Sequence, residues 1–237
     1  MSSRRLTFAA VLAGAAIATG AGAPAALASC GNVETAQPTK RLGPFRAPLI
    51  VGDSVLLGAI PNVARQGFEV DTHGCRQWPE GEAVVRAHKR RGTLPHEVVM
   101  FLGADWTVSR AQIAGTLHLL GPTRVLVLVT PREVGGGGSA DAEHMRQAGK
   151  VHPTRIVVLD WVHYTRHRSG WFAPDGLHLG PGGARGLAHF LRRALPYAAP
   201  GKFPGPKPEP APPPQPTPTP TPTPEPPPPE PTPPPTP

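Results

Sequence analysis

The sequence predicts an α/β domain in which helices cover both faces of a parallel sheet of five strands. Five short apolar runs rich in β-branched residues recur between residues 47 and 198, and segments with helical patterns separate them. Strands buried on both faces read as continuous apolar runs, because helices cover both sides of a parallel sheet. A segment of this length can bury one adequate core, so we expect a single domain.

The first half of the domain contains two predicted strands and two predicted helices. Leu49–Val51 is apolar and β-branched, which predicts a buried strand, and Gly52 ends it. The apolar run Val55–Arg65 predicts a helix, and Phe68–Val70 predicts a short second strand. Glu80–Arg91 is amphipathic and predicts a helix whose last turn carries cations, which suit the negative end of the helix dipole.

The second half repeats the alternation of apolar runs and helical segments. Its predicted strands are Glu97–Leu102, Arg124–Thr130 and Arg155–Asp160. Its predicted helices are Ser109–Leu120, Ala140–Ala148 and Gly182–Leu195. In parallel sheets of this kind, ligands bind beyond the carboxyl ends of the strands, so we expect the functional residues there.

Both ends of the chain differ from the domain in composition. Residues 1–28 combine a basic start, a small apolar run and the cleavage-like Ala26-Leu27-Ala28, which predicts a signal peptide and an exported protein. Residues 29–46 form a leader that we expect to be irregular. Of the 35 prolines, 22 lie between Pro200 and Pro237, which predicts a disordered polyproline spacer over residues 199–237.

The two cysteines leave two alternatives open. An exported protein with Cys30 and Cys75 as its cysteines suggests a disulfide between the leader and the loop after the second strand. Leu27-Ala28-Ser29-Cys30 also matches a lipobox, in which Cys30 would be lipidated and Cys75 would be free. The protein is therefore expected to be secreted or associated with the cell envelope, with a lipoprotein anchored through Cys30 as the alternative.

Two motifs at opposite ends of the domain carry the residue types of a nucleophilic site. In Gly52-Asp53-Ser54 a sharp turn places the serine near a helix N-terminus, where backbone N–H groups favour negative charge. In Asp175-Gly176-Leu177-His178 the carboxylate can orient the imidazole toward the serine. Together they predict Ser54 as nucleophile, His178 as base and Asp175 as its orienting partner. The simpler alternative is that Asp53 or Ser54 only caps a helix.

These motifs resemble the first and last blocks of the SGNH/GDSL hydrolase superfamily. The last block is similar to that of the exported branch, which reads Asp-Gly-x-His. The resemblance extends over residues 47–195, nearly all of the predicted domain at 47–198. It implies a flavodoxin-like three-layer α/β/α sandwich of the SGNH hydrolase type, and Ser54, Asp175 and His178 as catalytic residues.

The resemblance also implies an oxyanion hole, in which one block departs from the superfamily. Its donors would be the Ser54 N–H, a backbone N–H after the second strand, and an asparagine amide after the third. The second donor is Gly74 or one of its neighbours, Cys75 and Arg76. Asp105 stands where the superfamily has asparagine. An ionised aspartate has no proton to donate and would repel an oxyanion, whereas a protonated aspartate could donate.

The function that the resemblance implies is ester hydrolysis. We expect an exported serine esterase that removes or transfers O-acyl groups, such as acetyl, on carbohydrate or on a cell-wall polymer. The alternative is a catalytically degenerate module of the same fold, which binds glycan or cell wall without turnover. No cofactor and no metal are expected, because His163 and His167 have no third ligand in register.

Charge and loop composition bear on the partners. The formal net charge of +8 agrees with attraction to anionic wall polymers, and no pattern typical of a nucleic-acid-binding fold accompanies it. We expect a monomer that contacts an acylated carbohydrate or small ester. Gly135–Gly138 is either a flap at the mouth of the site or a plain loop. Trp78, Trp106 and Trp171 either stack on sugar rings near the site or pack in the core.

Overall fold

The fold is a sheet of six strands with helices on both faces. The structure, a computed structural model, describes residues 30–205. The predicted signal peptide, residues 1–28, and the predicted tail from residue 206 onward lie outside the described residues. The strands are β1 (Glu34–Ala36), β2 (Leu49–Gly52), β3 (Glu69–Thr72), β4 (Glu97–Phe101), β5 (Val125–Val129) and β6 (Ile156–Leu159).

The sheet has the order β1-β3-β2-β4-β5-β6. The last five strands are parallel, as the sequence predicts, and their order is the 2-1-3-4-5 order of flavodoxin-like folds. The count of five strands was wrong by one, because β1 in the leader pairs antiparallel with β3. Glu34-Thr35-Ala36 contains no apolar run that would predict a strand. It pairs with the edge of β3, which would otherwise present unpaired N–H and C=O groups.

Seven helices lie among the described residues. They are α1 (Ser54–Leu57), α2 (Ile60–Ala64), α3 (Trp78–Arg90), α4 (Arg110–Leu120), α5 (Ala140–Val151), α6 (Trp161–Thr165) and α7 (Pro181–Leu191), with 3-10 turns at Ser169–Trp171 and Leu195–Tyr197. The predicted first helix is split because Pro61 has no N–H to continue α1 and lies in the first turn of α2. Helix α6 was not predicted; the Asp160 side chain caps it. No helix within residues 30–205 is long and apolar enough to cross a membrane.

The two faces of the sheet carry separate hydrophobic clusters. Successive strand residues point to opposite faces, so Ile50 packs with α1, α2 and α7 while Leu49 and Val51 pack with α3 and α4. Strands β4 and β5 divide their residues in the same way. The predicted three-layer α/β/α sandwich is therefore present, and the carboxyl ends of the parallel strands meet at one edge of the sheet.

The ordered domain extends beyond the predicted boundary at residue 198. The Gly201 N–H donates to His96 Nε2 at 3.3 Å, and the rings of His96 and Phe203 lie edge to face at 5.3 Å. His96 precedes β4, so these contacts attach the first residues of the predicted tail to the amino end of the sheet. In the sequence, the one indication of this attachment is Phe203, an aromatic residue between Pro200 and Pro204.

The structure joins Cys30 and Cys75 in a disulfide with a Cα–Cα distance of 5.1 Å. The bond ties the leader to the loop after β3 and closes a sequence separation of 45 residues. In the chain-entropy model, a loop of that size contributes about 4 kcal/mol to the free energy of unfolding. A cysteine in a disulfide has no thiol left for a lipid, which favours the disulfide over the lipoprotein alternative.

Glu97 is a buried carboxyl that has no partner. It is fully buried at the start of β4, and neither carboxyl oxygen finds a hydrogen bond within residues 30–205. Burial raises its pKa well above the usual value near 4.5. Between the usual and the raised pKa, the folded chain holds a proton that the unfolded chain releases. Rising pH therefore favours unfolding in that range.

We expect Glu97→Gln to remove this pH dependence, because the amide cannot ionise. The free energy of unfolding of the variant, minus that of the parent, should grow by up to about 1.4 kcal/mol per pH unit above pH ~5. Urea denaturation between about pH 5 and pH 8 measures the difference. Glu34→Gln, at an exposed position of β1, is the matched control and should give a flat difference. A flat difference for Glu97→Gln as well would show that Glu97 ionises normally.

Candidate active site

The nucleophile turn lies at the carboxyl end of β2. Gly52 ends the strand, and a Cβ there would meet the Leu56 side chain at 2.5 Å, so the tight turn requires glycine. Asp53 is the N-cap of α1, with its Oδ1 accepting from the Val55 N–H at 3.1 Å. Ser54 is the first helical residue and is only 4% exposed. The capping role belongs to Asp53, which leaves the Ser54 hydroxyl available.

The acid–base loop precedes α7 and places Asp175 and His178 against Ser54. His178 Nδ1 lies 2.7 Å from Asp175 Oδ2, and His178 Nε2 lies 3.0 Å from Ser54 Oγ. The other oxygen of Asp175 accepts from the Leu177 and His178 N–H groups at 2.9 and 3.0 Å. Burial alone would raise the pKa of Asp175, but the hydrogen bonds from His178 and from these backbone groups lower it below its usual range.

This chain of three side chains can activate a nucleophile. An ionised Asp175 holds the proton of a neutral His178 on Nδ1, so the Nε2 lone pair faces the serine hydroxyl. Ser54 can then donate its proton to His178 as its oxygen attacks an electrophile. The structure thus brings together the three residues that the two sequence motifs predict, across 124 positions of sequence.

Two of the predicted oxyanion donors, the N–H groups of Ser54 and Gly74, lie in turns at the same edge of the sheet. The Ser54 N–H is among the first four of a helix, which have no intrahelical acceptor. Strands β2 and β3 are paired so that Gly52 lies opposite Thr72, and the buried Gly74 follows in the adjoining turn. The Thr72 hydroxyl donates to the Asp53 carbonyl at 2.7 Å, which holds this turn against the nucleophile turn. Two backbone N–H groups therefore lie at the same edge of the sheet.

Arg76 stabilises the same turn from within. Its guanidinium is buried, pairs with the Asp71 carboxylate at 2.7 Å, and donates to the carbonyls of Asp71 at 2.8 Å and Gly52 at 3.2 Å. Cys75, immediately before it, adopts a φ of +57° and is held by the disulfide. Sequence reasoning left Arg76 open as an oxyanion donor and missed this bracing role, for which an Asp–Arg spacing of five gives no distinctive signal.

Asp105 follows β4, and both Ser54 and His178 influence its pKa. Desolvation raises the pKa of this carboxyl above its usual value, whereas the charge of His178 and a hydrogen bond from Ser54 lower it. Asp53 is a second carboxyl nearby and is almost fully buried. Its pKa is raised to about 7, first by burial and then by repulsion from Asp105. The loops around Ser54 thus carry two carboxyl groups, Asp53 and Asp105, whose pKa values are both raised by burial.

A buried arginine and the glycine-rich loop support the acid–base loop. Arg132 donates to the Gly176 carbonyl at 3.1 Å and to Thr165 Oγ1 at 2.9 Å. The Gly135 N–H donates to the Asp175 carbonyl at 2.7 Å. The run Gly135–Gly138 therefore packs directly against the loop that carries Asp175 and His178. From the sequence, this run was predicted only to be a plain loop or a flap at the mouth of the site.

The three tryptophans that were predicted to lie on loops near the site differ in burial and contacts. Trp78 is buried and donates to Thr116 Oγ1 at 2.9 Å, and Trp171 stacks on Trp161 with ring centroids 6.1 Å apart. Trp106, next to Asp105, is 63% exposed and is the one of the three whose ring faces solvent. Within residues 30–205, no group of three histidine, cysteine, aspartate or glutamate residues is arranged to hold a metal ion.

The chain resembles two curated proteins in sequence. YrhL of Bacillus subtilis (strain 168), assigned as a peptidoglycan O-acetyltransferase, is 26% identical over 169 residues, which are 69% of this chain and 26% of YrhL. The peptidoglycan O-acetyltransferase OatA of Listeria monocytogenes serovar 1/2a is 24% identical over 148 residues, which are 60% of this chain and 22% of OatA. The chain spans about a quarter of the length of these relatives. No family model matches the sequence.

Solved structures share the fold. The C-terminal catalytic domain of Streptococcus pneumoniae peptidoglycan O-acetyltransferase A, solved with a methylsulfonyl adduct, aligns with a TM-score of 0.56 at 19% identity. The alignment covers 65% of this chain and 94% of that domain. The alignment agrees with the predicted α/β/α fold, in which the strand count is corrected from five to six.

We expect Gly176→Ala to disturb the triad. Gly176 has a φ of +73°, and an added Cβ would lie 3.0 Å from backbone atoms of Gly135 and Gly136, so the acid–base loop must shift. Because a displacement of about 1 Å can cost about 100-fold in rate, labelling of Ser54 by a serine-directed phosphonate should slow at least about tenfold. The second-order labelling rate constant measures this effect.

Gly170→Ala is the matched control for this loop. A Cβ at Gly170 meets nothing within 4 Å, and its φ is not in the left-handed region. Its labelling rate should equal that of the parent. Equal rates for Gly176→Ala and the parent would show that the contact between Gly176 and the glycine-rich loop does not position His178.

Proposed function

We propose that this protein is an exported serine esterase or acyltransferase that removes or transfers O-acetyl groups on cell-wall carbohydrate. The observation that carries the proposal is the continuous chain from Asp175 through His178 to Ser54, with contacts of 2.7 and 3.0 Å. The acetyl group and the wall carbohydrate are supported by the relatives, two of which are named for peptidoglycan O-acetyl transfer. The signal-peptide pattern of residues 1–28 supports export.

The reaction proceeds in two halves on the same three side chains. Ser54 Oγ attacks the acyl carbon while its proton passes to His178 Nε2, and Asp175 stabilises the imidazolium. The negative charge on the acyl oxygen is bound by the N–H groups of Ser54 and of the Gly74 turn. The C–O bond to the leaving alcohol then breaks, and His178 returns the proton to that alcohol.

The second half decides between hydrolysis and transfer. His178 takes a proton from an incoming hydroxyl, whose oxygen attacks the acyl carbon of the acyl-Ser54 ester. The bond between this carbon and Ser54 Oγ then breaks, and His178 returns the proton to Ser54 Oγ. Water gives acetate, whereas a sugar hydroxyl gives an acetylated carbohydrate. Trp106 is exposed beside Asp105, and its ring can stack on a sugar at this point.

Asp105 determines how strongly the site stabilises the oxyanion. When ionised, it repels the developing charge and accepts a hydrogen bond from the Ser54 hydroxyl, which competes with the hydrogen bond from Ser54 to His178. When protonated, it can donate a hydrogen bond in the place where the superfamily has an asparagine amide. The active form of the site therefore requires Asp105 protonated and His178 neutral. If these conditions rarely coincide, binding without turnover is the remaining function, and Asp105 is the observation that favours it.

We expect Ser54→Ala to abolish hydrolysis of p-nitrophenyl acetate and covalent labelling by a serine-directed phosphonate, because the nucleophile is gone. The fall in kcat should be at least about 1,000-fold. Ser169→Ala, at an exposed serine in the turn before the acid–base loop, should keep the parent rate. Addition of a chitooligosaccharide acceptor, with mass spectrometry of the product, separates transfer from hydrolysis. Equal turnover by Ser54→Ala and the parent would contradict the proposal.

We expect Asp105→Asn to raise kcat/KM at pH 8 to 9 by at least about tenfold, because an amide donates at every pH. The parent should lose activity as pH rises through the raised pKa of Asp105, since the carboxyl then ionises. Hydrolysis of p-nitrophenyl acetate from about pH 5 to pH 9 gives the profiles.

Asp105→Asn removes a negative charge and adds a hydrogen-bond donor, and Asp105→Leu separates these two effects. It removes the charge without adding a donor, so its gain at high pH should be smaller than that of Asp105→Asn. Coincident pH profiles for the parent and Asp105→Asn would show that Asp105 does not act on the oxyanion. Silence of the parent together with activity of Asp105→Asn would favour the binding module.

A further inference from the structure

A second concave surface lies at the edge of the sheet formed by β6. It is a groove of about 690 Å³ between α6, with the turn that follows it, and the C-terminal end of α7. None of its lining residues belongs to the triad. The residues that define this basic groove are Asp160, His163, Tyr164, Arg166, Arg168 and Arg193. Nothing in the catalytic cycle above uses it.

The basic groove carries positive charge that its surroundings do not neutralise. In the part of the chain that the structure describes, no carboxylate forms an ion pair with Arg166, Arg168 or Arg193. The carboxylate that lines the groove, Asp160, is already paired with Arg146 through contacts of 2.8 and 3.2 Å. Three guanidinium charges are therefore left uncompensated on one surface.

Aromatic rings hold two of these arginines in place. The Arg168 guanidinium lies 4.5 Å from the centroid of the Trp171 ring and 5.0 Å from that of Tyr164. The Arg193 guanidinium lies 4.8 Å from Tyr164 and 4.9 Å from Phe190. Contact with a ring uses the flat face of a guanidinium and leaves its N–H edge able to donate. Pre-ordered side chains lose less entropy when they bind an anion.

The basic groove is connected to the acid–base loop through a short stretch of chain. Trp171 ends the 3-10 turn beneath Arg168, and the next residue, Phe172, pairs with Leu179. The Ala173 N–H then donates to the His178 carbonyl at 2.8 Å. Arg168, which lines the groove, therefore contacts the residue that begins the segment leading to His178.

We propose that the basic groove binds an anionic polymer. The ligand class is a chain with repeated phosphate or carboxylate groups, because a guanidinium pairs with either anion through two parallel N–H···O bonds. Repeated charges match three arginines spread over α6, its following turn and α7. The binding of a polyanion follows from the groove alone. That this polyanion belongs to the cell wall, and that its binding holds an acetylated substrate at Ser54, rests on the proposed function.

The test is isothermal titration calorimetry of the full chain carrying Ser54→Ala, so that no ester is consumed. The probes are poly(glycerol phosphate), polygalacturonic acid and neutral dextran, in about 50 mM NaCl to limit screening. The groove variant is R166Q/R168Q/R193Q. The matched control is R90Q/R91Q/R110Q, which removes three exposed arginines that also lack a carboxylate partner, from α3, the residue after it, and α4.

The groove variant should bind the preferred polyanion at least about tenfold more weakly, and the control less than about twofold more weakly. A preference for poly(glycerol phosphate) identifies a phosphodiester ligand, and a preference for polygalacturonic acid a carboxylate ligand. Equal weakening in both triple variants, binding of dextran as tight as that of the polyanions, or no binding of either polyanion would overturn the proposal.

The same substitutions in the chain with Ser54 intact separate this proposal from the proposed function. Hydrolysis of p-nitrophenyl acetate should be unchanged in both triple variants, because the small ester does not reach the groove. A chain that binds polyanion through the groove but lacks esterase activity would leave the groove assigned and the catalytic proposal refuted.

Discussion

The carboxyl of Asp53 holds the candidate site together. One of its oxygens caps α1 through the Val55 N–H at 3.1 Å, and the other accepts from the Ala104 N–H at 3.2 Å in the loop that carries Asp105. Only a carboxyl offers two acceptor oxygens on so short a side chain, since an asparagine amide would present a donor to one of these N–H groups. Burial raises its pKa to about 7, so the distance between the nucleophile turn and the Asp105 loop depends on a group that titrates near neutral pH.

Buried polar groups at the two ends of the sheet have opposite effects on the stability of the fold. At the carboxyl end, Arg76 and Arg132 are buried and donate to backbone carbonyls, including that of Gly52 at the end of β2 and that of Gly176 in the acid–base loop. Loops lack the regular backbone hydrogen bonds of a sheet, so these guanidinium groups supply donors that hold the turns around the candidate catalytic residues. At the amino end, Glu97 has no partner and only weakens the fold. The buried arginines at the site thus have partners, whereas the buried carboxyl of Glu97 has none.

Much of the fold and the site could be predicted because their signals are local. Apolar runs such as Leu49–Val51 reveal buried strands, and the two motifs reveal Ser54, Asp175 and His178 by residue type and spacing. The missed features depend on tertiary contacts. Strand β1 has no apolar pattern and pairs with a free edge, and the roles of Arg76 and Arg132 depend on carbonyls far away in sequence. The geometry brings Ser54, Asp175 and His178 together. Their predicted roles in a reaction are tested by activity measurements.

The exposure of the triad bears on which acceptor completes the reaction. Ser54 is 4% exposed, whereas 31% of the His178 side chain is accessible. Under the proposed function, leaving groups and acceptors therefore reach Ser54 past the imidazole. Asp105 is followed by the exposed Trp106. A sugar stacked on that ring would displace water from the approach to His178, and its hydroxyl would then compete at a high local concentration. Under the proposed function, transfer therefore prevails when a carbohydrate acceptor occupies Trp106, and hydrolysis prevails when it does not.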